Sequence, residues 1–115
     1  MAADSPLVDQ AYALARGLYL ETGSFSTAEK DLLGRQIRET AVDLATLTTD
    51  AVTTDDPAER QETLRQAGMA CIRLGVLLRL AADAGELYEP ELTERLAHLK
   101  ALDTGLAHER RSMRR

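Results

Sequence analysis

Few side chains in these 115 residues can do chemistry. The histidines are His98 and His108, and the only cysteine is Cys71. A carboxylate-bridged metal site in a helical protein needs Glu-x-x-His on two helices and a glutamate from each of two more. Arg95 stands three before His98 and Gly105 three before His108, so neither histidine completes that motif. Glu94 and His98 are four apart, a single pair. No metal or other cofactor is expected. Cys71 sits among Ala70, Ile72 and Leu74. Burial there would raise the thiol pKa and make it a small core residue rather than a nucleophile. There is no Ser–His–Asp order, phosphate-cradling glycine loop or G-x-S-x-G elbow. The acids are spread over helix surfaces and caps, so no paired acid and base is indicated. The chain is read as a non-enzyme without catalytic residues.

Arginine is the residue type present in excess. Of fourteen basic residues only Lys30 and Lys100 are lysines, leaving twelve arginines. A guanidinium makes bidentate contacts with carboxylate or phosphate. Arg35 and Arg38 lie three apart, Arg60 and Arg65 lie close together, and Arg110, Arg111, Arg114 and Arg115 form the one dense basic patch. Two roles stay open: solvated faces with ion pairs between subunits, or phosphate contacts at one end of an assembly. Arg35, Arg38, Arg110, Arg111, Arg114 and Arg115 are the candidate nucleic-acid or partner-binding residues.

The net charge is −5 and the pI near 5.0, which argues against a basic surface along the whole chain. Hydrophobic residues make up 44% and aromatics 3%, so the core must be built from Leu, Ala, Val and Ile. The length suits one domain. A single cysteine suits a reducing compartment. No run of about 18 apolar residues is present, so no membrane span is expected. The start MAADSPLVDQ lacks a basic region followed by an apolar one, so no signal peptide is expected. A cytoplasmic location follows as the expectation.

Helices must position these groups. Asp4 or Ser5 can cap a first helix with Pro6 in its first turn. Leu7, Ala11, Leu14 and Leu18 form its apolar stripe, and Gly23 is expected to end it in the left-handed conformation. Ser26 and Glu29 read as a capping box opening a second helix. Its stripe is Leu33, Ile37, Ala41 (or Thr40), Leu44, Leu47 and Ala51. Asp56, Pro57 and Glu59 read as a second capping box, opening a third helix that runs to about Asp83 and stops at Gly85. That helix has one stripe at Leu64, Ala67, Cys71, Leu74, Leu78 and Ala81 and another at Ile72, Val76 and Leu80. An apolar second side points to a subunit interface or extra burial. Pro90 opens a fourth helix lined by Leu92, Leu96, Leu99, Leu102 and Leu106. Gly68 and Gly75 are candidates for close helix approach. Short loops predict an all-α, antiparallel up-down-up-down four-helix bundle over residues 1–107, with a fraying basic tail at 108–115.

The stretches LYLETGSFSTAEKDLLGRQIRETAVDLA and LRQAGMACIRLGVLLRLAADAG resemble a family of small four-helix-bundle proteins. Its members are encoded in intervening sequences of bacterial large-subunit rRNA genes or serve as accessory variability determinants of diversity-generating retroelements. The family's Ile/Val-Tyr, Thr, Phe-Pro, Glu, Leu and Gln-Leu-Arg-Arg-Ala-Ala fall on Leu18-Tyr19, Thr22, Phe25-Ser26, Glu29, Leu32 or Leu33, and Gln36 to Ala41. Glu39 replaces the second arginine, and Ser26 replaces the proline. The resemblance spans about Tyr12 to Leu106. It implies a homo-oligomer assembling as a ring, a pentamer. It further implies an accessory protein that binds a reverse transcriptase and, through basic residues, its RNA or DNA. The alternative is a protein-only oligomeric scaffold of another bacterial system that binds no nucleic acid.

Overall fold

The computed structural model describes residues 5–112, and all regular structure among them is helical. Four long helices follow in order: α1 (Pro6–Thr22), α2 (Arg35–Thr53), α3 (Pro57–Asp83) and α4 (Glu89–Ser112). A single α turn (Thr27–Glu29) and a π turn (Lys30–Gly34) lead into α2. Contacts run α1 to α2, α2 to α3, α3 to α4 and α4 back to α1, closing a helical bundle of 46 × 21 × 20 Å. No described helix is long and apolar enough to cross a membrane.

The core follows the heptad-like spacing of the sequence. Leu7, Ala11, Leu14 and Leu18 of α1 are buried, as are Leu64, Ala67, Cys71, Leu74, Leu78 and Ala81 of α3. On α4, Leu99, Leu102 and Leu106 are buried while Leu92 and Leu96 are partly so. Helix α2 departs from expectation at one place: Thr48 is fully buried, and Leu47 only partly. Alternating steps of four and three from Ile37 reach Ala41, Leu44, Thr48 and Ala51. Geometry therefore selects Thr48, and its hydroxyl tolerates burial because Oγ1 donates to the Leu44 carbonyl at 2.7 Å.

Several expected caps change. Asp4 lies outside the described residues, and Ser5 has the extended backbone of a cap without a side-chain bond. Gly23 is not left-handed; its φ is −62°. Helix α1 instead unwinds through tight turns, in which Gly23, Ser24 and Phe25 donate to the carbonyls three residues back. These turns keep right-handed angles and carry Phe25 into the core. Asp56 has cap-like backbone angles, but its side chain makes no cap hydrogen bond. Asp56 and the first turn of α3 are exposed, so water can serve the amides its carboxylate leaves unbonded. Gly85 does adopt φ +80°, and Glu86 N donates to Ala81 O at 2.8 Å in a Schellman ending. Helix α4 opens with Tyr88 as its cap, whose N–H donates to the Glu91 carboxylate. It continues without a break through His108 to Ser112.

The close approaches fall at glycines other than Gly68 and Gly75. A Cβ on either of those would make ordinary contacts at 3.7 Å, with Arg110 and Leu99 respectively. At Gly105 an added Cβ would lie 2.5 Å from Leu7 Cδ2, and at Gly17 2.5 Å from Arg95 Nη2. The tight seam is between α1 and α4. Helix α3 packs against both α2 and α4 and leaves Ile72, Val76 and Leu80 facing outward.

Candidate functional site

The arginines singled out by sequence do not gather into one patch. Arg38 is partly buried and already engaged. Its Nη1 donates to Thr22 Oγ1 at 3.2 Å and its Nη2 to the Lys30 carbonyl at 3.3 Å. Its guanidinium carbon also lies 6.0 Å from the centre of the Tyr19 ring. Lys30 begins the π turn, so Arg38 ties this irregular turn to the end of α1. Arg35 is exposed one turn earlier. Arg110 is partly buried and lies against the first turns of α3, beside Ala58, Gln61, Glu62 and Arg65. Arg111 is exposed at the end of α4. Arg114 and Arg115 lie outside the described residues.

Two structural contacts of partly buried or capping carboxylates were not read from the sequence. Arg95 of α4 makes a bidentate pair with Glu21 of α1, at 2.9 and 2.8 Å. Gly17, one turn before Glu21, leaves the space the guanidinium occupies. Glu86 reaches Ser26, accepting from its N–H at 2.6 Å and from its hydroxyl at 3.1 Å. The capping box is thus half formed. Ser26 Oγ accepts from Glu29 N at 3.4 Å, but the carboxylate returned to Ser26 N comes from Glu86 of the α3–α4 turn, not from Glu29. Only sequence-distant partners create these sites, which is why local spacing missed them.

The thiol is poorly suited to chemistry. Burial, with Asp103 adding to it, pushes the Cys71 pKa up to about 12. His98 Nδ1 lies 3.3 Å from Arg95 Nη1. Among the described residues no three His, Cys, Asp or Glu side chains cluster to hold a metal ion.

The surface is unusual in its apolar exposure. Met69, Ile72, Val76 and Leu80 stand outward along α3, with Ile72 65% exposed. On the far pair of helices, Tyr12 and Val42 are also exposed and border a groove between α1 and α2 floored by Ala15, Ala45 and Thr49. The second stripe read on α3 is therefore an outer face, not a second buried one. Comparisons with protein-family models, curated proteins and solved structures gave no match to this chain.

Proposed function

We propose that the chain is a non-enzymatic, homo-oligomeric adaptor whose helices form an up-down-up-down bundle. The antiparallel order is supported by paired contacts. Near one end of α1, Gly105 of α4 meets Leu7; near the other, Arg95 meets Glu21. Between α2 and α3, Arg73 bonds Thr40 while Thr63 bonds Asp50. The observation that carries the adaptor reading is the row of exposed apolar side chains on α3, too long to be scattered surface residues. The resemblance to retroelement accessory proteins supplies the partners: a reverse transcriptase and, through exposed arginines, its RNA or DNA. Arg35 and Arg111 are the free guanidinium candidates, because Arg38 and Arg110 are packed against other elements. The groove between α1 and α2 is the surface offered to the protein partner.

Co-purification tests this directly, with a reverse transcriptase encoded beside the gene as bait. RNA titration at low and moderate salt tests the second part. Binding by phosphate contacts falls steeply with salt and weakens in Arg111→Ala. No RNA affinity in the parent at low salt, together with a mass several times 12.6 kDa, favours the protein-only scaffold.

A further inference from the structure

The outer face of α3 carries a self-complementary pattern. Arg65, Met69, Ile72, Val76, Arg79 and Asp83 follow at steps of four, three, four, three and four, and all six are exposed. That is the spacing of a coiled-coil seam. The row is symmetric about the level of Leu74. A second copy of the helix laid antiparallel across it would set Ile72 opposite Val76, Met69 opposite Arg79, and Arg65 opposite Asp83. The apolar pair sits at the centre, and opposite charges close both ends. The Arg79 methylenes can cover Met69 while its guanidinium reaches water.

The flanks fit the same arrangement. Arg73 borders the row, but it is turned toward α2, where Nε donates to Thr40 Oγ1 at 3.2 Å and Nη2 to Gln36 Oε1 at 3.3 Å. It therefore does not oppose its own copy across the axis. On the other border Gly75 is buried under Leu99 of α4, so the row is flanked there by α4. Arg65 uses Nε and Nη2 on Glu62, leaving Nη1 free for a second carboxylate. The row from Arg65 to Asp83 rises about 27 Å along α3, a little over half the 46 Å length of the bundle.

We infer that two copies of this chain pair through their α3 helices across a two-fold axis, with Ile72 and Val76 at the centre and Arg65 bridging to the second copy's Asp83. The inference rests on the self-assembly half of the adaptor reading and sets the symmetry of one contact. Such an isologous contact gives even numbers of copies. It leaves the groove between α1 and α2 free for another protein.

The test is reciprocal charge reversal read by sedimentation or light scattering at micromolar concentration. Arg65→Asp places two carboxylates together at each end, and Asp83→Arg places two guanidinium groups together. Each should weaken the dimer about tenfold, and the double variant should return to within about twofold of the parent. Val76→Glu should give a monomer with an unchanged helical circular dichroism spectrum. A double variant as weak as the worse single variant overturns the pairing. So does a five-copy parent whose mass ignores both reversals, which would leave the adaptor reading standing. A parent that stays at 12.6 kDa overturns the pairing and self-assembly together.

Discussion

The pairs Glu21–Arg95 and Glu62–Arg65 have almost the same length, 2.8 and 2.7 Å, and very different surroundings. The first joins α1 to α4 across 74 residues, with side chains 18% and 14% exposed. The second lies within one turn of α3, with side chains 52% and 57% exposed. Arg65 first, then Gln66, holds the Glu62 carboxyl down to about 2. That shift does not make the pair strong, because water screens exposed charges and competes for them. The same chemistry therefore acts as a clamp where burial removes water and as surface decoration where it does not.

The sharpest way to break the contrast is Arg95→Ala. It leaves Glu21 largely buried without its partner, and should lower stability by about 2–4 kcal/mol in urea titration. Replacing both partners, as Glu21→Leu with Arg95→Met, should recover most of that loss, since an apolar pair needs no desolvation. A single variant as stable as the parent would remove the clamp.

The glycines beside the clamp sharpen the comparison. Gly105→Val drives a side chain into Leu7 and should cost about 1–3 kcal/mol. Gly68→Ala meets nothing closer than 3.7 Å and should raise stability by about 0.5–1 kcal/mol through helix propensity. Thermal melts of the two variants should move in opposite directions.

Caps divide in the same manner. Ser26→Ala loses the bond from Glu29 N and the hydroxyl bond to Glu86, and should cost about 0.5–2 kcal/mol. Asp56→Ala removes no side-chain cap bond and should stay within about 0.5 kcal/mol of the parent.

The smallest effect is expected at Arg65. Arg65→Ala should not measurably change chemical denaturation of the monomeric fold. Glu62 is ionised at lower pH in the folded chain than in the unfolded one, so its small stabilising contribution is present above about 4.5 and fades as pH falls toward about 2. Comparing acid titrations of the parent and Glu62→Gln, read in a monomeric background such as Val76→Glu, isolates that slope.

Much of this architecture was legible along the chain. The stripes of α1 and α3 sit where apolar spacing put them, Pro57 and Gly85 bracket α3, and Cys71 is buried and unreactive in character. Local patterns carry such information because a helix repeats its faces every few residues. The candidate site was less legible. Arg35, Arg38, Arg110 and Arg111 look alike in sequence, yet only Arg35 and Arg111 are exposed, Arg38 and Arg110 being partly buried. Arg38 was spent on a carbonyl of a π turn that no local signal announces.

By itself, then, the sequence determined the helices, their buried faces, and an α3 with more apolar surface than one core can use. Tertiary structure alone decided which carboxylate caps Ser26, which glycine is crowded, which arginine is a clamp and which is free. The reason is physical. Helical period and turn chemistry act over a few residues, whereas desolvation, steric contact and bidentate pairing depend on groups that meet only after the chain has packed. Glu86 and Arg95 lie 60 and 74 residues from the partners they secure.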